Sequence, residues 1–119
     1  MMRKALASLA ALAMVAGLAA SLRAESKTVT GEVIDVQCHM KKAENVGEGH
    51  ADCALSCAKK GAVMGILTAD GVYTIAGDYA ANNNAKLIEF VSKKVEATGD
   101  VTEKDGKKVL TVASMKSAS

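Results

Sequence analysis

The last third of the chain constrains its fold most. Lys94 to Thr102 reads KVEATGDVT and alternates through Val95, Ala97, Gly99 and Val101. After Glu103-Lys104-Asp105-Gly106, Lys107 to Met115 (KKVLTVASM) alternates again, through Val109, Thr111 and Ala113 or through Leu110 and Val112. Period-two alternation sends successive side chains to opposite faces of a strand, and Asp-Gly between two such runs reverses the chain. A pair of strands with a shared turn is therefore predicted. Apolar residues in both sets of the second strand predict that it is covered on both faces.

The rest of the chain supplies the partners this pair needs. Thr28 to Val36 (TVTGEVIDV) reads as a strand with a bulge or bend at Gly31. Gln37 to Gly49 is polar and irregular. Asp52 is placed to cap a helix over Cys53–Lys60, which Gly61 ends. Ala62 to Thr68 and Val72 to Ala76 form a hairpin about Ala69-Asp70-Gly71. One of Asn82, Asn83 and Asn84 is placed to cap a second helix, Ala85–Ser92, with an apolar stripe at Leu87, Ile88 and Val91. Strand, helix, hairpin, helix, hairpin is a mainly β order. It predicts a five-stranded, OB-like β-barrel with two short α-helices, the first inserted after the first strand. Gly31 and Gly99 fall where strongly bent strands need relief. There is no proline, repeat or low-complexity linker, so one domain is expected.

The 119-residue chain opens with Arg3-Lys4, an Ala/Leu-rich run from Ala5 to Ala20, and a polar break at Ser21. That pattern describes a secretory signal over residues 1–24, leaving a single domain over 25–119. A cut after Ser21 is the alternative. The expected address is a bacterial periplasm or exterior, with no membrane span after cleavage. Removal of Arg3, Lys4 and Arg23 leaves twelve basic residues against thirteen acids, so the formal +2 belongs to the signal. The remaining domain lacks the basic balance of a nucleic-acid binder. It has Tyr73, Tyr79 and Phe90 as its aromatics and no Trp, so its core rests on Val, Ile, Leu, Ala and Met. A small core of that kind gains from a disulfide or metal crosslink.

The chemistry-bearing residues lie in one segment: Cys38-His39-Met40, then His50-x-x-Cys53-x-x-x-Cys57. Three thiols cannot all pair within one chain. On a helix His50, Cys53 and Cys57 fall within an arc of about 60°, at about 100° per residue. Cys53 and Cys57 are poor disulfide partners, because i,i+4 Cβ atoms lie about 5–6 Å apart and a disulfide wants about 3.5–4.5 Å. A disulfide must then use Cys38, closing a loop onto Cys53 or Cys57 worth roughly 3 kcal/mol in the chain-entropy treatment. Alternatively Cys38, Cys53, Cys57 and His50 provide three sulfurs and one nitrogen for tetrahedral Zn²⁺, with His39 competing for the nitrogen position. The soft ligands, with Met40 or Met64 nearby, also suit Cu(I). No C-x-x-C-H haem motif and no C-x-x-C redox pair is present. A Cys/His nucleophile lacks any feature that singles it out.

Gly31-Glu32-Val33-Ile34-Asp35 with Cys38, and His50-x-x-Cys53-Ala54-x-x-Cys57-x-x-x-Gly61, resemble a group of small exported bacterial proteins with an OB-like fold, largely uncharacterised. Gly65-Ile66-Leu67 and Lys94-Val95-x-x-Thr98-Gly99-Asp100-Val101 are similar to it as well. The resemblance implies fold and export, not an activity. An aromatic often follows the first cysteine in that group; here His39 stands there.

These readings converge on a non-enzymatic exported binding module. Its Cys/His segment acts as a disulfide staple or as a soft-metal site, and its partner is a metal ion or an unidentified protein. A thiol-based redox protein using an unpaired cysteine, and a purely structural adaptor, are the alternatives.

Overall fold

The computed structural model describes residues 25–118; the expected signal segment 1–24 and Ser119 lie outside the described residues. Five strands, β1 (Glu25–Asp35), β2 (Met64–Thr68), β3 (Gly71–Ala76), β4 (Lys94–Lys104) and β5 (Lys107–Ser117), close into a barrel in the order β1-β2-β3-β5-β4. Every pairing is antiparallel except β3 with β5, which run parallel from Tyr73↔Lys108 to Ala76↔Thr111. This is the mainly β, OB-like topology expected from the element order. Two α-helices, α1 (Val36–Lys41) and α2 (Ala51–Lys59), lie between β1 and β2. Among the described residues no helix is long and apolar enough to cross a membrane.

Alternation builds the core as the pleat requires. Val29 and Val33 of β1, Ile66 of β2, Tyr73 and Ile75 of β3, Val95 and Ala97 of β4, and Leu110 and Val112 of β5 all turn inward and are buried. Only one face of β5 is covered: Thr111 and Ala113 are exposed, and Val109 is half-buried. The inward choice falls to Leu110 and Val112 because their branched aliphatic chains bury more apolar area than Thr111 and Ala113 do. Tyr73 is the one fully buried aromatic among the described residues, and its hydroxyl accepts a hydrogen bond from Lys27 Nζ at 3.1 Å. The two glycines expected to relieve bending do so by proximity. A Cβ on Gly31 would collide with the Leu67 carbonyl oxygen, and one on Gly99 with that of Thr111. The register of β4 on β5 also shifts between Thr98 and Gly99.

Two segments differ from expectation. Gln37 to Gly49 is not wholly irregular, because Asp35 caps α1 there: its Oδ1 accepts the Cys38 backbone N–H at 3.2 Å. Of the helix expected over Ala85–Ser92 only the single turn Ile88–Phe90 forms, preceded by two other short turns, Asp78–Ala80 and Ala81–Asn84. Asn82, Asn83 and Asn84 have φ of 54°, 53° and 60°, left-handed values that interrupt a right-handed helix. The apolar stripe still reaches its target, since Leu87 and Val91 are buried. Val91 then bridges to Val33, while Ser92 N–H donates to the Val33 carbonyl and Val33 N–H to that of Lys93. The two α-helices thus both precede β2.

Candidate metal centre

The centre is built where β1 runs into α1. Asp35 ends the strand with a side chain only 2 % exposed. By capping α1 it fixes Cys38 in the first turn of that helix. α2 arrives from the other side. Ala54 and Ala58, one helical turn apart, are buried, and their small side chains let α2 lie close on the barrel. Cys53 and Cys57 each precede one of these alanines, so they form a parallel row about 100° around the helix. α2 ends in a Schellman-type turn: Gly61 N–H donates to the Ala58 carbonyl at 3.0 Å and Ala62 N–H to that of Cys57 at 3.1 Å. Gly61 takes the left-handed position with φ 89°. Asn84, itself buried, locks this end by donating from Nδ2 to the carbonyls of Ala58 and Ala62, both at 2.9 Å.

The Sγ atoms of Cys38, Cys53 and Cys57 lie within 4.8 Å of one another. Three thiolates on one metal with bonds of about 2.3 Å stand about 4 Å apart, so small side-chain adjustments bring them onto a shared ion. Cys53 is exposed, and Cys38 and Cys57 are half-buried, so the cluster opens to solvent on the Cys53 side.

No protein-family model, curated protein or solved structure matches this chain.

The electrostatics centre on Asp35. Its Oδ2 accepts a hydrogen bond from Cys38 Sγ at 3.5 Å. Hydrogen bonding to the same carboxylate, followed by desolvation and the carboxylate charge, pushes the Cys57 thiol up to about 11. The Cys38 thiol is raised as well, first by desolvation and then by the charge and hydrogen bond of Asp35. A negative charge disfavours a second negative charge beside it, and a thiol that donates to a carboxylate holds its proton. Cys38 and Cys57 are therefore protonated thiols at neutral pH, and a metal ion must displace their protons to bind.

The two histidines stand outside the sulfur group. His50 closes the short turn Glu48–His50 and occupies the N-cap position of α2, so the helix begins at Ala51, one residue before the expected Asp52 cap. Asp52 falls in the first turn. His50 Nε2 is buried with no hydrogen-bond partner among the described residues. His39 lies on α1 beside Cys38 but lines a groove on another face, together with Met40. Met64 is buried in the core. Sequence reasoning missed Asp35 and Asn84. For Asp35 a signal existed: an Asp three residues before Cys38, at the end of a strand, is an N-cap pattern. Asn84 was visible only as one member of an Asn triplet.

Proposed function

We propose that this chain is a small exported binding module that captures a thiophilic metal ion, Zn²⁺ or Cu⁺, through Cys38, Cys53 and Cys57. The observation that carries this reading is the convergence of three sulfurs from two separate helices. A thiol cluster of this kind, half-buried at Cys38 and Cys57 and open at Cys53, offers a soft donor set that neither hard cations nor water satisfy well. His50 stands outside the sulfur group and would have to swing toward it to give a fourth, nitrogen donor. It sits directly before the helix that carries two of the sulfurs, and its Nε2 lacks any other hydrogen-bond partner there. An S₃N set suits tetrahedral Zn²⁺, while the three sulfurs alone suit Cu⁺. Export is supported by the N-terminal charge and hydropathy pattern. Membership of the exported OB-like group is supported by the GEVxDxxC and HxxCAxxCxxxG segments.

The same convergence favours a second reading, a disulfide from Cys38 to Cys53 or Cys57. In that case the remaining thiol is left over and the segment serves as a staple. The two are separated by metal analysis of protein purified from the periplasm, joined to a count of alkylatable thiols. The metal reading predicts one equivalent of Zn or Cu and three thiols alkylated without reductant once a chelator and denaturant are added. Metal-free protein with a single thiol before reduction refutes it in favour of the staple. In the metal reading Cys57→Ser lowers both metal content and melting temperature.

A further inference from the structure

α1 is a wall shared by two different environments. One side presents Cys38 to the sulfur cluster. Another side presents His39 and Met40 to a groove of about 550 Å³, a volume typical of small-molecule sites. Val36, Met40, Val63, Val72 of β3 and Val109 of β5 line this groove. Met40 is 76 % exposed and Val63 49 %; these are the large apolar side chains left exposed among the described residues, and both border the same groove. Apolar surface gathered around one concavity marks a binding surface, whereas scattered exposed apolar residues mean little. Met40 adds an unbranched, adaptable thioether that can close over ligands of varied shape.

The polar groups around the groove have a sign. Lys107 and Lys108 line it against the single acid Asp70. Lys108 Nζ donates to the Asp70 carbonyl at 2.9 Å and lies 5.2 Å from the centre of the Tyr73 ring, so its ammonium is already engaged and Lys107 is the free cation among the described residues of the lining. Lys107 has no ion-pair partner among the described residues. His39 Nδ1 is buried and also lacks a hydrogen-bond partner among them. No Phe, Tyr or Trp is among the described residues lining the groove, so it has no platform on which bases would stack.

We infer that this groove binds a small amphipathic carboxylate, its apolar chain against Val72, Val109 and Met40 and its carboxylate at Lys107. Octanoate, octanol and octylammonium share one chain length and differ in the head group, so they isolate the role of charge. Each is titrated into the isotope-labelled chain and followed by amide chemical shifts. Octanoate is expected to give saturable shifts at Val36–Met40, Val72–Thr74 and Lys107–Val109. Octylammonium is expected to bind about tenfold more weakly, with octanol between. Lys107→Glu, at the exposed start of β5, should erase the preference for the anion, and Met40→Ser should weaken all three. Equal binding of the three head groups, shifts centred elsewhere on the barrel, or no saturation of octanoate in the millimolar range overturns the inference. Tighter occupation of the same residues by an oligothymidylate also overturns it.

Discussion

The barrel and the segment between β1 and β2 are held by different means. The barrel is a closed hydrogen-bonded cylinder filled by inward Val, Ile and Leu side chains, and each strand is paired on both sides. In the segment, α1 buries no residue and α2 buries two alanines. Burial of a methyl group contributes little beside that of a Leu or Ile. The segment is fixed instead by polar ties, Asp35 at its start and Asn84 at its end, with the sulfurs between. One region is thus stabilised by apolar area spread over many residues. The other depends on a few specific contacts, and it is there that a metal or a disulfide has most to add.

The largest effect should come from breaking the barrel. Gly31→Val forces a side chain into the Leu67 carbonyl across the β1–β2 ladder. Because backbone cannot yield as a side chain can, we expect a loss of about 3 kcal/mol or more, seen in urea denaturation as a collapse of the midpoint or as failure to fold. Native-like stability of this variant would mean that the strands do not approach as closely as described.

Breaking the segment's polar tie should cost less and act locally. Asn84→Ala removes one donor from the buried Ala58 carbonyl, which keeps Gly61 N–H, and takes the side-chain donor from the part-buried Ala62 carbonyl. We expect about 2–3 kcal/mol, with faster amide exchange in α2 than in β4 and β5. Uniformly faster exchange would show that barrel and segment unfold as one unit, and the contrast between them would fail.

The metal-free segment should also respond to alkaline pH. Unfolding returns Cys57 to its ordinary value of 9.0, whereas the folded thiol holds its proton to about 11. The folded state therefore binds more protons between these values, so this group's contribution to stability is full and independent of pH below about 9 and is lost as pH climbs to about 11. Asp35→Asn removes the charge that holds the proton, so it should flatten the fall and speed alkylation of Cys57. An unchanged alkylation rate would remove Asp35 from control of the site. The smallest effect belongs to the exposed barrel surface. Glu96→Gln breaks the 3.5 Å contact with Lys116, whose side chain is 73 % exposed, and should change stability by no more than about 0.5 kcal/mol.

The same division separates what was legible in the sequence from what was not. Barrel strands announce themselves because a half-buried strand must alternate, and Val95, Ala97, Leu110 and Val112 do so without reference to distant residues. Gly31 and Gly99 were legible as points of relief for the same reason. α1 spans six residues, too short for a helical period to emerge, and it forms because Asp35 caps it. The expected helix over 85–92 failed because tertiary demands overrode its local stripe. Asn84 donates to α2, and the chain leaves the helical region at Val91 (ψ 130°) and Ser92 (φ 64°), where Val91 bridges to Val33. Within the site, the three sulfurs were legible from residue type and spacing. The buried carboxylate between them was not, since burial of Asp35 is decided by where β1 ends against α2.

The central claim is that Cys38, Cys53 and Cys57 act together as donors to one ion. X-ray absorption on the protein loaded with Zn²⁺, and separately with Cu⁺, tests it most directly. The account predicts three sulfur scatterers at about 2.3 Å around the metal, falling to two in Cys57→Ser. A first shell of nitrogen and oxygen alone, or a sulfur count unaltered by that substitution, would contradict it.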